Sequence, residues 1–70
     1  MKPIAFQRTD DGELFTLDKG TGQYSIEANK REFPLSKITS WPESELAGLA
    51  GFREIYDEAL LSRLLKERFK

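Results

Sequence analysis

A chain of 70 residues is one small domain, near the size at which a single core only just outweighs the entropy of ordering the backbone. It has no Cys and no His, so disulfides are impossible, and the usual zinc ligands, thiol nucleophile, imidazole base and triad partner are all missing. Eleven basic residues against twelve acidic ones leave a net charge of −1, and residues 1–42 carry six of each sign, which supplies no field to concentrate nucleic acid or an anionic membrane surface.

The first thirty residues alternate apolar and polar in short runs broken by turn residues, the pattern of a three-stranded antiparallel meander. Ile4, Phe6 and Arg8 share one face of the first run. Thr9-Asp10-Asp11-Gly12 then offers the Asx side chains and the flexible glycine of a hairpin turn. In the second run, residues 13–19, Phe15 and Leu17 face one way and Leu14 and Thr16 the other, before Gly20-Thr21-Gly22 reverses the chain. The third run, residues 23–28, sets Tyr24, Ile26 and Ala28 opposite Ser25 and Glu27, and Asn29-Lys30-Arg31-Glu32 ends it.

Residues 31–51 read as a connector with a short helix. The piece Phe33-Pro34-Leu35-Ser36-Lys37-Ile38 suits either a connector, which is favoured, or a fourth edge strand begun after the proline. Ser40 and Glu43 stand at capping-box spacing with Pro42 in the first turn. Trp41, preceding a proline, is pushed away from helical angles, which allows the helix to begin at Pro42 instead. Gly48 and Gly51 each weaken this helix by about 1 kcal/mol relative to Ala, so it should stop or bend near Gly51.

Residues 52–70 are expected to form one long amphipathic helix packed on the sheet, with Glu54, Asp57 and Glu58 early and Arg63, Lys66, Arg68 and Lys70 late, each favourable to the helix dipole. At about 100° per residue, Phe52, Ile55, Tyr56, Ala59, Leu60 and Leu64 form one stripe, while Leu61, Leu65 and Phe69 lie outside it. One buried face needs one stripe. The surplus either packs on a second internal element or offers a seam for another helix.

Other motifs have ordinary explanations. Asp10, Asp11 and Glu13 cluster at a hairpin tip too short for an EF-hand loop. Gly20-Thr21-Gly22 leads into a strand, whereas phosphate-cradling loops lead into a helix. Residues 44–52 match the front half of a helix-turn-helix, with Ala47 four before Gly51, but Arg53, Glu54, Asp57 and Glu58 would open the second helix with three carboxylates beside phosphates. Phe6, Phe15 and Tyr24 near Arg8, Lys19, Lys30 and Arg31 suit base stacking, yet alternation places these aromatics in the core beneath the C-terminal helix.

The expectation is a single α+β domain spanning residues 1–70, organised as a meander, a connector with a short helix, and a long C-terminal helix. The start of the chain reaches a charge before a signal-like apolar run forms and no stretch has membrane-spanning length, so a cytoplasmic protein without membrane attachment is expected. Its expected function is that of a non-enzymatic protein–protein interaction module, with no cofactor, metal or small-molecule substrate. It would homodimerise through Leu61, Leu65, Arg68 and Phe69 and bind an unidentified protein partner. An antiparallel helix pair would set acidic early turns against basic late turns. The alternative is a weak single-stranded nucleic-acid binder using the sheet aromatics and scattered basic residues.

Overall fold

The computed structural model describes residues 1–68, the Leu35 side chain excepted. The chain forms β1 (Ala5–Arg8), β2 (Leu14–Asp18), β3 (Gln23–Ile26), α1 (Glu27–Glu32), a 3₁₀ turn at Leu35–Lys37, β4 (Ser40–Trp41), α2 (Glu43–Ala47), β5 (Phe52–Ile55) and α3 (Glu58–Arg68). It is an α+β fold with a C-terminal helix lying against an antiparallel sheet. The sheet has five strands in the order β4-β3-β2-β1-β5, in place of the three expected.

The meander forms where alternation put it, except that Ile4, expected on the face of Phe6, precedes β1 and packs with Ala5, Leu14 and Ile55 on the opposite face. Phe6 pairs with Phe15 and Leu17 with Tyr24. The β1–β2 turn is closed by the Gly12 N–H donating to the Arg8 carbonyl at 2.8 Å, and the β2–β3 turn by Gly22 donating to Asp18 at 2.7 Å. The third strand is shorter than expected. After Ile26 the chain turns into α1, with Glu27 in its first turn and Lys30 and Arg31 in its last, signs that suit the helix dipole. Six residues do not hold a helix by themselves. Here the Glu27 carboxylate accepts from the Thr16 hydroxyl, and the Lys30 ammonium donates to Thr16 Oγ1 at 2.5 Å, tying α1 to β2.

Ser40 does not cap α2. Its hydroxyl donates to Gln23 Oε1 at 2.6 Å, and Pro42 is the N-cap, without a side-chain cap. The proline keeps Trp41 extended, as the residue before a proline prefers, and Trp41 pairs with Tyr24 to make β4.

The largest correction concerns residues 52–57. Gly51 has φ 91°, a left-handed angle that no helix passes through, and Phe52–Ile55 then runs as a strand beside β1, with Ala5 opposite Ile55 and Arg8 opposite Phe52. The spacing of Phe52, Ile55 and Tyr56 is helical, but Phe52 and Ile55 lie on opposite faces of the sheet. Helix α3 starts only at Glu58, capped by Asp57, whose carboxylate accepts the Ala59 N–H at 2.9 Å.

Both faces of the sheet are apolar. One carries Ala5, Leu14 and Ile55, covered by Leu60, Leu61, Leu64 and Leu65 of α3. The other carries Phe6, Phe15 and Tyr24, with Leu46 of α2 buried against them. The C-terminal helix therefore covers the Leu14 face and not the aromatic face expected for it. Connectivity sets the other cover. The chain leaves β4 at one edge and enters β5 at the other, about 19 Å away at about 4.8 Å per strand spacing, and α2 lies on the aromatic face between them.

Candidate functional site

Phe15, on the central strand β2, is the floor of the most open part of the aromatic face. Trp41 from one sheet edge and Phe52 from the other both meet it edge-on, with ring centroids 5.5 and 5.2 Å away. Edge-to-face contact suits the ring quadrupoles. Beside them Phe6 and Tyr24 pack at 4.8 Å, and the Tyr24 hydroxyl donates to the Pro3 carbonyl at 2.6 Å. Burial pushes the Tyr24 hydroxyl up to about 12.

Helix α2 is too short to close this face. Leu46 is buried, but Leu49, just past the helix end, is 54% exposed. Between them and the rings is a half-open pocket of about 390 Å³, with Ile26 completing the apolar wall and Arg8 and Glu45 at its mouth. That volume lies in the range of ordinary ligand and side-chain pockets.

The charges at the mouth are unequal in their commitments. The Arg8 guanidinium stands 5.5 Å from the Phe15 centroid and donates to Asp11 at 3.0 and 2.7 Å, with Asp10 at 3.5 Å. Arg8 holds the Asp11 carboxyl well below the usual carboxylate range, helped by the Glu13 N–H that Asp11 also accepts. The carboxylates of the hairpin tip are thus engaged in the turn. Glu45 is exposed, and its carboxylate has no hydrogen bond or ion pair among the described residues.

The residues expected to form a helix seam sit elsewhere. Leu61 and Leu65 are half-buried against the Ala5, Leu14 and Ile55 cluster and line a hollow of about 270 Å³ with Ile4 and Leu17. Arg68 reaches back to the start of β2 and pairs with Glu13, a nearly buried carboxylate. Phe69 lies outside the described residues. Within α3, Leu60, Leu61, Leu64 and Leu65 span about 140° of the helix, one wide stripe. The second stripe arose from counting residues 52–56 as helical.

A third hollow, of about 240 Å³, lies beside α1 and is polar, with Asp18, Ser25 and Lys30 among its walls. Lys30 is also 3.5 Å from Glu27, which balances its charge. No group of three or more acidic side chains able to hold a metal ion occurs among the described residues. None of their helices is long and apolar enough to cross a membrane.

Sequence reasoning singled out Phe15 and Arg8 but missed Trp41, Leu49 and Phe52 as neighbours of one pocket. The extended angle imposed on Trp41 by Pro42 was a usable signal. For Phe52, helical spacing masked the strand. Comparison of the chain with protein-family models, curated proteins and solved structures gives no match.

Proposed function

We propose that this chain is a small non-enzymatic protein–protein interaction module whose partner contact centres on the pocket between Trp41, Leu49 and Phe52. The observation that carries this is the exposed Leu49 beside a half-open apolar pocket with a buried, aromatic floor. Such pockets accept a single anchoring side chain, and the rigid wall gives that anchor most of its binding energy. The leucines of α3, by contrast, already have the sheet as their partner, so self-association through Leu61 and Leu65 has less surface to use. Phe6, Phe15 and Tyr24 are at most 3% exposed, and stacking bases on them would require opening the core, which favours the protein partner over single-stranded nucleic acid.

The test is selection of displayed peptides against the folded chain, followed by affinity measurement on wild type and Leu49→Ser. Leu49 is exposed, so the variant should keep its melting temperature. Selected peptides should lose about tenfold or more in affinity for it, corresponding to ~1.4 kcal/mol or more of lost apolar contact. Peptides that bind both proteins equally would place the partner surface elsewhere and refute the proposal.

A further inference from the structure

Resting on that pocket being the partner site, we infer that the side chain it takes is basic, an aliphatic stem ending in a cation, within a segment of the partner protein. The chemistry is that of the walls. Trp41 and Phe52 rise at the sides of Phe15, and aromatic faces attract a cation through the ring quadrupole. The fold already uses this attraction, since the Arg8 guanidinium stands over Phe15.

Charge at the mouth points the same way. Arg8 is answered by both Asp10 and Asp11, while Glu45 has no partner among the described residues. The Arg8 charge is thus answered within its own turn, and among the described residues the charge of the pocket lining left without a counter-ion is the Glu45 carboxylate. An acidic side chain would meet Glu45 and be repelled, and a neutral one would leave Glu45 unused. A basic side chain satisfies both zones, laying its methylenes on Ile26 and Leu46 and bringing its head to Glu45.

The test uses three short labelled peptides of identical flanking sequence whose central residue is lysine, norleucine or glutamate. Binding is read by anisotropy of the label and by emission of Trp41, the chain's only tryptophan. The lysine peptide should bind about fivefold tighter than the norleucine peptide, the size expected of one partly exposed cation–π and ion-pair contact. The gap should narrow with added salt. Glu45→Gln should remove most of it, whereas Glu32→Gln, in α1 on the far side of the sheet, should leave it intact.

Equal affinity for lysine and norleucine, tighter binding of glutamate, or an unchanged lysine preference in Glu45→Gln would overturn the inference while leaving the pocket as a site. Butylammonium alone binding as tightly as the lysine peptide would make the ligand a free amine and overturn the protein source. No binding of any peptide, or an anisotropy change with silent Trp41 emission, would instead remove the pocket reading itself.

Discussion

At the residue scale, Tyr24 shows how one side chain carries both packing and a polar obligation. Its ring is fully buried against Phe6, and its hydroxyl is answered by the Pro3 carbonyl, which fixes the chain entering β1. Its folded-state pKa is raised, to about 12 from an ordinary 10.0. The neutral form is therefore favoured by folding, a contribution complete below pH 10 that is lost as pH climbs through 12. Stability should fall across that window by up to about 3 kcal/mol from this group. Tyr24→Phe should cost about 1 kcal/mol at neutral pH for the lost hydrogen bond. It should also flatten the alkaline decline, as measured by urea denaturation of both proteins from neutral pH to above 10. An equally steep decline in Tyr24→Phe would assign it to other groups.

At the scale of elements, the C-terminal helix and the strand before it were confused for a definite reason. Residues at i, i+3 and i+4 mark a helical face, but a strand followed by a turn can place the same three residues by accident, as at Phe52, Ile55 and Tyr56. What separates the two cases is Gly51, whose φ of 91° ends local helical continuity, and the open edge of β1, which only the folded sheet presents. With the helix shortened to Glu58–Arg68, its four leucines make a single half-buried stripe. Leu61→Glu with Leu65→Glu should accordingly destabilise the monomer by about 3 kcal/mol or more. That is a large part of the roughly 4–10 kcal/mol available to a chain of this length. Circular dichroism melts and light scattering on wild type and variant decide the matter. A variant that melts like wild type but no longer self-associates would restore α3 as a seam between copies.

At the scale of the whole molecule, two cores share one sheet. Adjacent residues in β1 and β2 serve opposite sides, Ala5 with Phe6 and Leu14 with Phe15, so each core is the backing of the other. Neither half has an independent framework. Unfolding should therefore be one cooperative transition. Trp41 emission reports the aromatic side and far-ultraviolet dichroism is dominated by α3 on the other. The two should give the same midpoint in urea, and separated midpoints would show that one side can open alone. Both sheet edges are guarded against pairing with another chain. β4 has only two residues, and β5 carries Arg53 and Glu54 at its centre, devices that discourage edge-to-edge association.

The sequence by itself determined what depends on neighbours along the chain. Alternation assigned the residues of the first three strands to faces, Ile4 ahead of β1 excepted, Asx and glycine residues located both hairpin turns, and the run of leucines with its charge gradient required a C-terminal helix. These are local preferences of backbone angle and side-chain period, and they survive in any context. Only the tertiary structure decided which face each helix covers, because Leu14 and Phe15 are equally apolar and period 2 cannot rank two buried faces. It alone decided that Ser40–Trp41 and Phe52–Ile55 are strands, since each is too short to declare itself and exists only by pairing with an edge that the meander supplies. The pocket followed from both. Trp41 and Phe52 lie at opposite edges of the sheet, and with Leu49 they line one pocket over Phe15 because the chain between β4 and β5 has to cross the aromatic face.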